Sequence, residues 1–109
     1  MIFSISHIYM TDKLTILKKV SDPDLVYKQA LKFLQNKYFE LNVSTRKDKK
    51  YMIKGDFTND KWVHFGSLNY EDYTHHKNIK RRNLFRQRNQ KWLEYPKYSP
   101  AWFSYYLLW

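Results

Sequence analysis

Three short segments between residues 38 and 65 constrain the fold of this chain most, because each has the composition of a β-strand. In residues 38–43, apolar and polar side chains alternate, as they do in a strand with one buried face. Residues 50–54 and 61–65 are two further strand-like segments, and the turn-type cluster 55–60 separates them. The order predicts a three-stranded antiparallel meander.

Helix-type signals flank these strands on both sides. Ser21-Asp-Pro-Asp24 combines a capping side chain, a proline in the first turn and an acid near the positive end of the helix dipole. Apolar residues then recur on one face as far as about Gln35, which predicts a helix that packs against the sheet. Residues 78–91 form a basic helix-prone stretch, and Ser99-Pro100 begins an aromatic C-terminal helix.

These elements predict an α+β fold in one small domain. The chain has 109 residues, which fits a single domain. We assign residues 21–109 to that domain and residues 1–20 to an N-terminal extension. The chain has no cysteine, which excludes disulfides and cysteine-ligated zinc, and no apolar stretch approaches the roughly 20 residues that span a bilayer.

Charge is the strongest functional signal. The chain carries a net charge of +10, and most of the surplus lies after residue 44. Residues 76–91 contain no acid, and their cations are Lys77, Lys80, Arg81, Arg82, Arg86, Arg88 and Lys91. Like charges at helical spacing repel one another unless a polyanion neutralises them. The run therefore predicts salt-sensitive binding to nucleic acid, and the alternative is a solvated helix face without a ligand.

A second basic cluster lies between the first two predicted strands. Its cations are Arg46, Lys47, Lys49 and Lys50. Taken alone, such a cluster is typical of an ordinary charged hairpin. Together with the basic helix it would extend the predicted nucleic-acid-binding surface.

The predicted C-terminal helix carries large apolar or aromatic residues on nearly every side. A helix that is apolar all round is expected to be buried. It either fills the core of its own domain or docks into a neighbouring protein, because large exposed apolar patches mark interfaces. The candidate interface residues are Trp102, Tyr105, Tyr106 and Trp109.

Catalytic interpretations have little support in the sequence. His64, His75, His76, Glu71 and Asp72 permit a sketch of a metal-dependent nuclease, since histidines and carboxylates can hold a divalent ion near a phosphate. The chain lacks the HExxH and P-loop spacings. We therefore predict no catalytic residue, no metal and no cofactor.

An ordered series of short motifs runs from residue 44 to residue 109, downstream of the Asp-Pro helix start. It comprises residues 44–54, 62–66, 70–74, 76–77, 80–82, 97–100 and 107–109. The series resembles a small uncharacterised family of basic proteins from nucleocytoplasmic large DNA viruses of the mimivirus and phycodnavirus kind. The resemblance implies a viral protein, located in the virion or in the host cytoplasm during assembly.

These observations lead to two expected functions. The first is a minor structural protein of a large DNA virus particle, which binds neighbouring capsid or other virion proteins and, through its basic patch, DNA or another polyanion. The alternative is a free nucleic-acid-binding protein that acts in the infected cell.

Overall fold

The fold contains a three-stranded antiparallel sheet, with helices before its first strand and after its last strand along the chain. This confirms the predicted α+β class. The computed structural model describes residues 8–109, with side chains from residue 12 onward. The strands are β1 (Glu40–Val43), β2 (Lys49–Lys54) and β3 (Val63–Ser67), in that order across the sheet. A short 3₁₀ turn at Asp56–Thr58 lies between β2 and β3.

The helices are α1 (Ile8–Leu17), α2 (Pro23–Leu34), α3 (Tyr73–His76), α4 (Ile79–Arg88) and α5 (Pro100–Phe103). A 3₁₀ segment, Gln90–Glu94, follows α4, and α5 continues as a π-helix over Ser104–Leu108. None of the helices in this part of the chain is long and apolar enough to span a membrane.

Helix α2 forms where the sequence predicts it. The Asp22 carboxylate accepts hydrogen bonds from the main-chain N–H groups of Asp24 (3.1 Å) and Leu25 (3.3 Å). This cap satisfies donors that have no partner inside the helix, and Pro23 suits the first helical position. The opposite side of the helix buries Val26, Ala30 and Leu34 in the main core.

Strand register places the apolar residues of the sheet on one face. Leu41 lies opposite Ile53, Val43 opposite Tyr51, and Tyr51 opposite Phe65. All five side chains are fully buried. Because side chains alternate along a strand, this register directs the apolar set of all three strands towards the same core.

The segment predicted to be an N-terminal extension contributes to this core. Leu17 is fully buried, and Leu14 packs against the same cluster. Residues 1–7 lie outside the described residues. The packed unit therefore includes residues before Ser21, and the boundary that we drew there does not separate packed from unpacked chain.

The aromatic C-terminal helix fills the core. Phe103 and Leu107 are completely buried, Leu108 is 2% exposed and Tyr105 is 9% exposed. Tyr105 is thus corrected from an interface candidate to a core residue. Trp102, Tyr106 and Trp109 are partly buried, and each has a ring partner in the chain: Trp102 contacts Tyr98 and Tyr106, Tyr106 contacts Phe33, and Trp109 contacts Phe85.

Close approach of this helix to the sheet requires a glycine in β3. Gly66 has φ +82°, and a Cβ atom there would lie 2.8 Å from Leu108 Cδ1 and 3.2 Å from Lys50 Cβ. Glycine adopts this conformation without steric cost, and its missing side chain leaves room for Leu108. Gly66 and Leu108 line a cavity together with residues of the basic helix α4. The C-terminal helix and β3 therefore help to position α4.

Candidate nucleic-acid interface

Helix α4 and the residues around it expose most of the cations predicted to bind nucleic acid. The helix begins after Asn78, whose side-chain oxygen accepts a hydrogen bond from the Arg81 N–H at 3.0 Å. The exposed cations are Lys77, Lys80, Arg81, Arg88 and Lys91. The stretch from Lys77 to Lys91 contains no acid, but two carboxylates from outside it form ion pairs with its cations. Glu71 Oε1 lies 3.6 Å from Arg81 Nη1, and Asp22 Oδ2 lies 4.0 Å from Lys77 Nζ.

The prediction that Arg82 and Arg86 belong to the binding surface is corrected, because the face of α4 that carries them packs against the protein. Arg82 lies over the Tyr73 ring at 4.8 Å. Arg86 Nη2 donates to the main-chain oxygen of Trp109 at 2.9 Å, and its guanidinium lies 5.6 Å from the Tyr105 ring. Residues four apart share one helix face, and here that face is directed inward. These two arginines hold α4 against α3 and the C-terminal helix.

The prediction that Lys50 binds nucleic acid is also corrected. The Lys50 side chain is 2% exposed, and its ammonium lies 3.0 Å from Oδ2 of the fully buried Asp72. Burial lowers the pKa of Lys50, although the Asp72 carboxylate opposes that shift. A buried lysine that is paired in this way cannot contact a phosphate at the surface, so Lys50 does not belong to the predicted binding surface.

The Lys50–Asp72 pair belongs to a buried polar network that sequence reasoning missed. Asp72 Oδ1 accepts hydrogen bonds from the Thr74 N–H at 3.0 Å and from the Thr74 hydroxyl. The Tyr51 hydroxyl donates to Ser21 Oγ at 2.7 Å, and Ser21 Oγ lies 3.2 Å from Thr74 Oγ1. Burial raises the pKa of the Tyr51 hydroxyl. The sequence offers one signal for this network: Asp72 is a capping residue type and stands immediately before a helical turn.

The loop between β1 and β2 retains the other cations of its predicted cluster. Arg46 and Lys47 are exposed, and Lys49 is partly buried. Lys13 Nζ donates to the main-chain oxygens of Ser44 (2.6 Å) and Arg46 (2.5 Å), so α1 fixes the conformation of this loop. Burial lowers the pKa of Lys13.

Contacts at the end of the sheet connect the two basic clusters. Lys49 lies opposite Ser67 in the sheet, and the Leu68 N–H donates to the Asp48 carbonyl at 2.9 Å. Ser67 in turn lines a cavity together with Arg81 and Arg88. The end of the basic loop therefore pairs with a strand residue that lines the same cavity as the basic helix.

That cavity has a volume of about 450 Å³ and lies between α4, the end of β3, the 3₁₀ segment and the C-terminal helix. From α4 it receives Arg81, Phe85 and Arg88, which are four and then three residues apart and so share one helix face. Tyr70 and Trp92 contribute two further rings. The lining combines aromatic rings with cations.

The histidines have partners that do not form a metal centre. His64 Nδ1 lies 2.7 Å from Ser44 Oγ, and His75 Nδ1 lies 2.7 Å from Glu71 Oε2. Burial, together with the nearby Arg46, lowers the pKa of His64, and burial together with Arg81 lowers that of His76. Throughout the described range, no three His, Cys, Asp or Glu side chains are grouped so that they could hold a metal ion.

Residues 39–89 match a family of unknown function (DUF5754). The matched region runs from just before β1 to just after α4, which is slightly less than half of the chain, and it leaves out α2 and the C-terminal helix. No curated protein and no solved structure matches the chain.

Proposed function

We propose that the protein binds nucleic acid, and that exposed cations on α4 and the segment after it contact the phosphates. The supporting observation is the exposed set Lys77, Lys80, Arg81, Arg88 and Lys91 in a stretch without Asp or Glu. A polyanion relieves the repulsion among these charges, and the net charge of +10 attracts it over a longer range. The proposed role is binding without a catalytic step.

Salt dependence tests this proposal. Each phosphate contact releases counterions, so affinity for mixed-sequence DNA is expected to fall steeply between low and physiological salt. The triple variant Lys80→Gln/Arg88→Gln/Lys91→Gln is expected to reduce the slope of log K against log salt by about 3, because each lost contact removes roughly one unit. Fluorescence anisotropy with a labelled duplex at several salt concentrations measures the slope.

A matched triple variant separates a local surface from net charge. Lys28, Lys37 and Lys61 are exposed and lie outside the basic segment. Their replacement by Gln removes the same charge and is expected to leave the slope nearly unchanged. An equal reduction of the salt slope in both triple variants would show that only net charge matters. An affinity that does not change with salt concentration would refute phosphate contact altogether.

We also propose that the protein acts in a large DNA virus, either in the particle or in the infected cell. The ordered motif series supports a viral origin. Because the C-terminal helix contributes much of its apolar surface to the domain core, nucleic-acid binding is favoured over capsid binding as the main role. The partly buried Trp102, Tyr106 and Trp109 are the residues through which a capsid neighbour would be contacted.

Quantitative mass spectrometry of purified particles distinguishes the two locations. A packaged protein is expected at a constant copy number per particle after extensive washing. A protein that acts only in the cell is expected in infected-cell lysate and not in washed particles. Absence from both samples would contradict the proposed viral role.

A further inference from the structure

The cavity beside α4 has features that phosphate binding alone does not explain. Its volume of about 450 Å³ lies within the range of 300–1,000 Å³ that is typical of small-ligand sites. A surface that only contacts phosphates needs cations and no enclosed space. Here the cations border a space lined by rings, which indicates a ligand with both a flat apolar part and an anionic part.

The rings in the lining are held in different ways. Phe85 and Trp109 are stacked on each other, with centroids 4.1 Å apart and planes 4° apart, so each covers one face of the other. Trp92 meets Phe85 edge-on at 5.5 Å. Tyr70 is 70% exposed, the largest exposure among these rings. A stacked aromatic pair thus forms a fixed wall, while Tyr70 provides a ring that is accessible to a ligand.

The charges in the lining favour an anion despite one carboxylate. Glu71 lines the cavity, but its Oε2 lies 2.7 Å from His75 Nδ1 and its Oε1 lies 3.6 Å from Arg81. The hydrogen bond from His75 lowers the pKa of Glu71. His75 and Arg81 therefore offset the charge of Glu71, and Arg88 adds a further exposed cation to the lining.

We propose that this cavity takes an unpaired nucleobase together with its phosphate, with the base stacked against Tyr70 and Trp92 and the phosphate contacting Arg81 and Arg88. Every base has a π-face, so stacking tolerates different sequences, as phosphate contacts do. Ser67 and Asn89 lie in the same lining, where Ser67 Oγ accepts from the Asn69 N–H at 3.3 Å and Asn89 Nδ2 donates to the Phe85 carbonyl at 2.9 Å. The Ser67 hydroxyl hydrogen and the Asn89 Oδ1 are the groups that can meet the base edge. The inference rests on the proposed nucleic-acid binding and specifies that single strands are the preferred form.

Duplex DNA does not offer this ligand, because its bases are stacked on one another and their faces are hidden. Placing a paired base in the cavity would first require unpairing and unstacking, which costs free energy that a single strand does not have to supply. The phosphates of a duplex remain available to the exposed cations. A duplex should therefore bind through charge alone, and a single strand through charge and stacking.

The test compares three ligands on the full chain by fluorescence anisotropy and competition. They are a single-stranded DNA of about 12 nucleotides, within the usual site sizes for single strands, a duplex of the same length, and adenosine monophosphate. The single strand is expected to bind about tenfold more tightly than the duplex at the same salt concentration, because stacking a base on an aromatic ring contributes on the order of tenfold.

Tyr70 supplies a matched pair of variants. Tyr70→Ala is expected to lose about tenfold in single-strand affinity and to leave duplex affinity unchanged, whereas Tyr70→Phe keeps the ring and is expected to bind as the parent does. Because the side chain is exposed, neither change should unfold the chain. An equal affinity of Tyr70→Ala and the parent for the single strand would overturn the inference.

The outcomes separate the two proposals. Salt-sensitive duplex binding without a single-strand preference would overturn the base-binding cavity and leave the phosphate-binding proposal standing. Failure to bind all three ligands would overturn both. If adenosine monophosphate binds as tightly as the single strand, and Tyr70→Ala weakens it equally, the cavity binds a base with its phosphate from a free nucleotide.

Discussion

Replacing Asp72 by Asn is expected to lower the free energy of unfolding by about 3–5 kcal/mol, because the Lys50 ammonium then stays buried without its counter-charge. The two side chains are 2% and 0% exposed, so water cannot replace the lost partner. Asn retains an oxygen that can accept the hydrogen bond from the Thr74 N–H, while its NH₂ group replaces the oxygen that accepts from the Lys50 ammonium. The change therefore acts on the contact with Lys50. Urea unfolding followed by circular dichroism measures the difference.

A more exposed pair between β1 and β2 provides the control. Lys54 Nζ lies 3.6 Å from Glu40 Oε2, with side chains 24% and 47% exposed. Glu40→Gln is expected to cost only about 0–1 kcal/mol, since solvent screens this pair. Adding Lys50→Met to Asp72→Asn should restore part of the lost stability, because no buried charge remains. A cost for Asp72→Asn no larger than that for Glu40→Gln would contradict the role of the buried pair.

Replacing Phe103 by Ala is expected to destabilise the protein by about 3–5 kcal/mol, the cost of removing a buried ring and leaving a cavity. Phe103 is completely buried, and its ring lies 5.4 Å from Phe65 of β3 and 6.2 Å from Phe57. Such a loss of stability is not expected if the apolar residues of this helix are exposed in the isolated chain and become buried only against a neighbouring protein. Equilibrium unfolding measures the loss.

Leu93→Ala is the matched comparison for this substitution. Leu93 is 49% exposed on the 3₁₀ segment, and exposed positions usually change stability by less than about 0.5 kcal/mol. Because the C-terminal helix fills the core, the parent protein should sediment as a monomer. Equal stability of the Phe103 and Leu93 variants, together with self-association of the parent, would instead assign the helix to an interface.

Local signals in the sequence were sufficient for the main elements. The Asp22 cap and Pro23 predict the start of α2, and the structure places the helix at Pro23–Leu34. Alternating apolar residues predict the strands, which are confirmed with bounds shifted by one or two residues. Both signals depend on neighbours within a few residues along the chain, so an isolated sequence already contains them.

Contacts between distant segments decided which cations face solvent. Lys50 is separated from Asp72 by 22 residues, and Arg86 from the Trp109 oxygen by 23. A charge run shows how many cations are present but not which helix face packs inward. The sequence therefore predicted the basic segment, while the packing of α4 removed Arg82 and Arg86 from its exposed surface.

The same distinction applies to the C-terminal helix and the cavity. The sequence by itself determined that Trp102 to Trp109 form an apolar helix that must be covered, because its rings lie on all sides. Only the tertiary structure decided that the cover is the chain's own sheet and α2, since that depends on Gly66 admitting Leu108 against β3. The cavity is a consequence of this packing: its rings and cations come from five separate segments, and their proximity is a property of the folded chain alone.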